Sequence, residues 1–276
     1  MGEDQLTLQE VADALGVHYM TAYRYIRLGY LMAEKSAGTW RVTRGDLDQF
    51  RSGSKREGLS SGAHHRTAPW AERLEARLVA GDEPGSWSVV QSALAAGAMP
   101  DDIYVDVITP ALHSIGMGWQ VGVLDISVEH RSSLIAQRLI GQLGPRFARR
   151  GRTRGSVILG CPAGEQHSIA LWMIADQLRF DGWSVSNLGN DVPHSSLRYL
   201  VSAAGEDLVS VGLSASTDAS LQPLSVAIAA AHSADVDAYV VVGGQAIRDA
   251  DHAESLGANG YAVDGRGLIE LLRNRS

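Results

Sequence analysis

The sequence predicts a multi-domain chain: an N-terminal winged helix-turn-helix, a four-helix bundle and a C-terminal doubly wound, Rossmann-like α/β domain. Three observations carry that expectation. Near the start, two helix-periodic runs flank a glycine and are followed by a short hairpin pattern. Residues 69–148 hold helical stretches at 70–80, 85–97, 101–117 and 127–148, punctuated by Pro84, Pro100 and the Gly118–Gly122 segment. From residue 156, five short apolar runs alternate with helical spacing, the pattern of parallel strands joined by helices. The expected boundaries are 1–52 for the first domain, 53–68 for a Ser/Gly-rich linker, 69–150 for the bundle and 151–276 for the α/β domain.

In the first domain, Thr7 precedes an apolar run and has Glu10 three residues later, a capping-box pattern. Val11, Ala14 and Leu15 form the inner face, and Gly16 ends the helix. A second helix is expected over Tyr19–Leu28, stopped by Gly29, and Lys35–Arg44 is expected to form a hairpin wing. A helix, short glycine turn and helix is the helix-turn-helix layout, whose second helix enters the major groove. On spacing alone, any small helical hairpin fits equally well.

Composition narrows the classes. Hydrophobic residues make up 45% and charged residues 20%, ordinary for a soluble globular chain with a sizeable core. Collagen, low-complexity disorder and disulfide scaffolds are excluded. The single cysteine, Cys161, excludes an internal disulfide and a Cys-rich zinc site, and it fits a reducing, cytoplasmic compartment. The polar, acidic N-terminus is not expected to be a signal peptide, and no run approaches ~18 uncharged apolar residues, so no membrane span is expected. A net charge of −7 argues against a nucleic-acid coat protein. Locally, however, Tyr19–Arg44 carries Arg24, Arg27, Lys35, Arg41 and Arg44 against Glu34 alone, an excess suited to phosphate.

In the bundle segment, Trp119 is expected in the Gly-rich loop GMGWQVG, and Glu129–His130 opens the last helix. Taken alone, these read as a core anchor and a dipole-favouring helix start. The α/β segment has unusual strand ends: GEQHS after the first strand, LSAST after the third and GGQ after the fourth. His167 follows a loop and has Glu165 two positions earlier. A carboxylate neighbour can fix an imidazole tautomer for metal binding, although a lone histidine there reads first as a cap. With no second His or Cys at zinc spacing, a protein-only zinc site is not expected. A metal that brings its own equatorial ligands, as in a corrin, needs only one protein ligand.

The first 45 or so residues resemble the winged helix-turn-helix of the MerR and excisionase group. The resemblance implies double-stranded operator DNA as partner, with Thr21, Tyr23, Arg24 and Arg27 on the recognition helix and Lys35, Trp40 and Arg41 on the wing. EQHSIA at 165–170, SAS at 214–216 and Gly243–Gly244 resemble the cobalamin-binding motif D/E-x-H-x-x-G, S-x-L, GG. That resemblance implies His167 as lower axial ligand to cobalt, Glu165 in its local network, and Ser214, Ser216, Gly243 and Gly244 along a slot for the displaced nucleotide tail. Ala170 stands where the motif has glycine, and Ser216 where leucine is common.

Trp119 with Glu129–His130 resembles the W-x9-E-H motif of CarH-type photoreceptors, MerR-like repressors with a cobalamin-binding bundle and α/β domain. It implies Trp119, Glu129 and His130 over the upper face of adenosylcobalamin, and a homo-tetramer in the dark. The family's histidine after the tryptophan, which takes the cobalt after illumination, is Gln120 here; His113 and His130 are other candidates. A related group binds a bilin between bundle and α/β domain, so a bilin is a second candidate ligand by resemblance. Three functions are therefore expected in order: a light-responsive repressor using adenosylcobalamin; a regulator sensing cobalamin without light, or a bilin with cobalamin; and a corrinoid protein of methyl transfer. The chain has no room for a substrate-activating barrel of ~250 residues, which argues against an enzyme.

Overall fold

The computed structural model describes residues 5–15, 26, 31–36, 39–48, 50, 69–149, 151–235 and 237–275. They fall into two compact units, Met1–Trp70 and Ala71–Ser276. Thr21, Tyr23, Arg24 and Arg27, the remainder of the expected recognition helix apart from Ile26, and the expected linker lie outside the described residues.

In the first unit, strand β1 (Gln5–Thr7) leads into helix α1 (Leu8–Leu15), and β2 (Glu34–Ser36) and β3 (Thr39–Thr43) form a hairpin. The capping box is formed: the Thr7 amide and hydroxyl donate to Glu10 Oε2 at 2.7 and 2.8 Å, and the Glu10 amide donates to Thr7 Oγ1 at 3.3 Å. The hairpin matches the expected wing. β1 is an addition, pairing antiparallel with β3 in the order β1-β3-β2. Three residues are too few for a period-two signal, and Leu6 opposite Val42 supplies the apolar pairing that holds them. Val11, Ala12, Ile26, Leu31, Val42 and Leu47 form the core, and Trp40 packs against it partly buried. That burial gives the wing tryptophan a structural role alongside its expected DNA contact.

The second unit opens with four helices: α2 (Trp70–Ala80), α3 (Glu83–Ala95), α4 and α5 (Ile126–Leu143). α4 runs as Pro100–Asp102, a π-helical stretch Ile103–Ile108 and Thr109–Gln120. Pro110 explains the π stretch. It lacks the amide that would bond back to residue 106, and its ring needs room there, which the wider turn provides. The amide of Thr109 accordingly reaches Tyr104 O, five residues back. Leu74, Val90, Ile115, Ile135, Leu139 and Leu143 are among the side chains that fill the bundle core.

Trp119 is not in a loop, as the glycines suggest, but in the last turn of α4. Leu124 folds back over the helix end, its amide donating to Gly118 O at 3.0 Å. A β-carbon at Gly118 would lie 2.9 Å from the Leu124 side chain, so that glycine serves packing. Gly122, at φ +75°, makes the turn that ends the helix.

The α/β part holds β4 (Ser156–Gly160), α6 (Ile169–Asp181), β5 (Ser184–Asn187), α7 (His194–Ala204), β6 (Leu208–Ser214), α8 (Leu221–Ala234), β7 (Val240–Gly243), α9 (Ala250–Ser255), β8 (Gly260–Tyr261) and α10 (Gly265–Arg273). All five strands are parallel, in the order β5-β4-β6-β7-β8. α6 and α10 cover one face through Leu171, Leu178, Leu268 and Leu272. α7 and α8 cover the other through Leu197, Val201, Leu224 and Ile228. Strand order reverses between β4 and β6, so the loops after these two strands diverge and leave a crevice, the place where such sheets bind ligands.

Bundle and sheet domain form one unit through aromatic and polar contacts. Tyr104 stacks on Phe147 at 4.8 Å between ring centroids, and Phe147 meets Phe180 edge-on at 6.2 Å. The Tyr104 hydroxyl donates to Asp176 Oδ2 at 2.7 Å, and burial first, then this carboxylate, push the phenol pKa up. Phe147→Ala should destabilise the second unit by about 3–5 kcal/mol through reduced burial and a cavity. Tyr104→Phe should cost only about 1 kcal/mol, because Asp176 keeps Arg179 as a partner. Urea titrations followed by far-ultraviolet circular dichroism give both numbers, and equal costs would mean the stack is not what joins the parts.

Candidate functional site

Glu165, in the loop after β4, is 1% exposed. Its Oε1 accepts from the His167 amide at 2.9 Å and faces His167 Nδ1 at 2.6 Å. Its Oε2 accepts from the Ser216 amide at 2.7 Å and from Ser220 Oγ at 2.9 Å. Burial works to raise the carboxyl pKa, but the Ser216 and His167 amides, then the His167 ring and the Ser220 hydroxyl, outweigh it and hold it at about 2 against an ordinary 4.5. A depressed value means that the stabilisation is full above 4.5 and is lost as pH falls toward 2. At neutral pH the group is therefore a carboxylate.

A carboxylate at Nδ1 makes that nitrogen the donor and leaves Nε2 with its lone pair, the form that ligates metal. The His167 side chain is 62% exposed, and Nε2 has no hydrogen-bond partner among the described residues. Gly164 at φ +83° and Asp191 at φ +52° shape the loop, and the Gly164 amide donates to Asp191 Oδ1 at 2.7 Å. Asn190 Nδ2 donates to Gln166 Oε1 at 2.7 Å. Among the described residues, no group of three His, Cys, Asp or Glu side chains is placed to hold a metal ion. What the loop offers is one imidazole.

Below this loop a cavity of about 190 Å³ runs between α6, α10 and the C-terminal ends of β4, β6 and β7. Ser214, Gly243 and Gly244 line it, as does Ala170. A β-carbon at Gly243 would lie 2.5 Å from Ala262 O, and one at Gly244 2.2 Å from Ala215 O. Gly244 also has φ +98°. Both positions therefore require glycine, and they present bare backbone to the cavity. Ser216 does not line it; its contribution is the amide to Glu165. Tyr104, Val105 and Thr109 of α4 complete one wall.

Ser220 and Gln177 are additions to the expected set. Ser220 lies 55 residues from the carboxylate it bonds. No local spacing marks it; only the fold brings the β6–α8 turn to Glu165. Trp119, Glu129 and His130 stand at the facing ends of α4 and α5. Trp119 is 42% exposed. Glu129 Oε1 accepts from Ser133 Oγ at 2.8 Å, and its Oε2 lies 2.8 Å from His130 Nδ1. No hydrogen bond or ring contact among the described residues joins Trp119 to Glu129. His113 lies partly buried in α4, and burial pushes its pKa down. Gln120, seven residues on, is exposed. In the first unit, Arg41 is partly exposed on β3. The side chain of Lys35 lies outside the described residues.

Comparison with known proteins agrees with this geometry. Residues 155–270 match the B12 binding domain, 70–143 match a second B12 binding domain, and 6–54 match a helix-turn-helix domain. The chain is 33% identical over 178 residues to the HTH-type transcriptional repressor CarH of Myxococcus xanthus, covering 63% of this chain and 58% of that protein. It is 27% identical over 115 residues to trimethylamine corrinoid protein 1 of Methanosarcina acetivorans, covering 41% and 53%. The chain thus spans little more than half the length of these relatives. The structure of the Methanosarcina barkeri monomethylamine corrinoid protein superposes with a TM-score of 0.68 at 17% identity, covering 75% of this chain and 98% of that one, a likeness of fold. By these matches, the chain carries a helix-turn-helix domain ahead of a helical and an α/β B12-binding domain, and over its matched part it is similar to a CarH-type transcriptional repressor.

Proposed function

We propose that this protein is a light-responsive transcriptional repressor that holds adenosylcobalamin at the His167 loop and binds operator DNA through its first unit. The observation that carries the cofactor is the buried Glu165 carboxylate orienting a solvent-facing His167 beside a glycine-walled cavity. These residues fit a corrinoid. His167 Nε2 is an unpartnered nitrogen donor, Ser214 and the two glycines leave a slot for a tail, and no competing ligand cluster is present among the described residues. When bound, the cofactor supplies a cobalt–carbon bond that light breaks.

The chain's own residues then have distinct tasks. Glu165 keeps the imidazole in one tautomer, and the Ser216 amide and Ser220 hydroxyl keep Glu165 ionised. Ser214, Gly243 and Gly244 receive the tail. Trp119, a flat apolar surface, packs against an upper adenosyl group with Glu129 and His130 beside it. Thr21, Tyr23, Arg24, Arg27, Lys35, Trp40 and Arg41 meet the operator, the cations through phosphate. The similarity to a repressor supports this reading over methyl transfer, and the matched domains support cobalamin while lending no support to a bilin. Assembly into a homo-tetramer in the dark belongs to the same proposal.

His167→Ala should weaken corrinoid binding and remove the spectral signature of a nitrogen lower ligand, while Glu165→Gln should weaken it less. Absorbance titration of both variants is the check, and wild-type spectra with wild-type affinity in His167→Ala would sink the assignment.

Arg24→Ala and Arg41→Ala should each weaken operator binding and lower the log–log salt slope by about 0.9 for each phosphate no longer neutralised. Gel-shift titrations across a salt series measure it; unchanged affinity and slope in both variants would exclude a phosphate-binding role for these arginines.

Trp119→Ala should weaken adenosylcobalamin relative to hydroxocobalamin. Glutamine is a poor metal ligand, because its amide lone pair is delocalised, so wild type should return to its dark spectrum more readily than Gln120→His. Spectra recorded for hours in darkness after illumination decide it: equal persistence in both proteins would mean that position 120 does not govern the lit state.

A further inference from the structure

His167 is aimed by Glu165, and that aim depends on the main chain that carries both residues. The Glu165 side chain is tied to the turn after β6, on one side of β4. On the other side lies β5, and the loop that follows it, residues 188–193, grips the same segment by its backbone. The Cys161 amide donates to Gly189 O at 2.8 Å, and the Val192 amide donates to Cys161 O at 3.0 Å, so the two loops stay paired beyond the strand ends. Asp191 stands between these contacts and makes two more. Its amide donates to Glu165 O at 3.0 Å, and its Oδ1 accepts from the Gly164 amide at 2.7 Å.

Asp191 does this in a conformation that L-residues avoid. Its φ of +52° lies in the left-handed region, and among the described residues no other non-glycine has a positive φ. The residue is exposed, so burial does not account for the conformation. A disfavoured backbone persists only where its surroundings over-determine it, and here the two bonds to residues 164 and 165 do so. Glycine would make the same turn more easily. What the aspartate adds is an oxygen that reaches the Gly164 amide.

We infer that Asp191 is a positioning residue for His167: it fixes the main chain at residues 164–165, Glu165 fixes the ring, and Nε2 is held in place only when both act. The inference rests on the corrinoid reading for what His167 ligates, but not for how the ring is held. Without Asp191, the Glu165 carboxylate keeps its bonds to Ser216 and Ser220. The segment then pivots about that carboxylate, and the His167 end of the network is the part that loosens.

The test has one reading without cofactor and one with it. In the full chain labelled with ¹⁵N in its histidine rings, nitrogen shifts at an alkaline pH report the tautomer of the neutral ring, and His167→Ala identifies the His167 signals. Wild type should hold the proton on Nδ1, whereas Asp191→Ala should show a mixture of both tautomers. Titrated by absorbance with hydroxocobalamin and with cobinamide, which has no nucleotide tail, Asp191→Ala should bind each about tenfold more weakly. The ratio between the two should stay unchanged, because the tail slot is untouched. Asp191→Asn keeps an oxygen acceptor and tolerates the left-handed region, so it should stay within about twofold of wild type. Wild-type tautomer and affinities in Asp191→Ala overturn the inference, as does Asp191→Asn as impaired as the alanine variant. If Asp191→Ala does not fold, Asp191→Gly, which keeps the turn and lacks the carboxylate, is judged by the same criterion. If wild type binds neither corrinoid, the corrinoid reading falls, while the tautomer measurement still decides the role of Asp191.

Discussion

A carboxylate taken out of water is costly unless donors surround it, and the geometry around Glu165 is the outcome of meeting that requirement. Four donors from two loops converge on it: the amide and ring of His167, the Ser216 amide and the Ser220 hydroxyl. Satisfying one side chain thereby ties the turn after β4 to the turn after β6 across the point where strand order reverses. The same bonds set the direction of the imidazole. Burial of Glu165 and exposure of His167 are two sides of one arrangement, since Nδ1 is spent on the carboxylate and Nε2 is left to face outward.

The sheet contributes what the loops cannot. Parallel strands with aliphatic side chains on both faces make a rigid platform, and the glycines at the end of β7 remove side chains where a ligand would need to approach the backbone. The bundle completes the cavity rather than merely covering it. α4 supplies Tyr104, Val105 and Thr109 to the wall, and its first turn supplies Asp101 to Gln177 and Arg266. The widened turn that Pro110 requires falls within this wall.

Legibility from sequence follows the range of the interactions. The five strands show as apolar runs because both faces of a parallel strand are buried, and β4 reads SVILG for that reason. The Thr7–Glu10 box and the Glu165–His167 pair are also visible, since each closes within three residues. Trp119 misleads, because glycines normally interrupt helices, whereas Gly118 here only makes room for Leu124. β1 is too short to announce itself. Ser220 and Gln177 leave no local signal: one becomes meaningful only once β6 lies beside β4, the other only once α4 meets α6. Ser216 is visible but acts through its amide, which side-chain motifs do not describe.

α4 also explains how one unit holds both a fixed and an adaptable region. Its N-terminal half is held by the Asp101–Arg266 ion pair, the Tyr104–Asp176 bond and the Tyr104–Phe147 stack, with Ile103, Tyr104 and Ile108 almost wholly buried. Its C-terminal end and the turn that follows carry Trp119, Val121 and Val123 at 42%, 67% and 77% exposure. Local opening is easiest where packing is sparse, so rearrangement costs least where apolar side chains are already in water. A group bound beside Trp119 would therefore meet the less packed end of the helix, while the cavity wall formed by Tyr104, Val105 and Thr109 is the tightly held end. The interactions that fix the cavity wall and the exposed apolar residues are thus kept at opposite ends of one helix and its following turn, with the π-helical stretch on the fixed side.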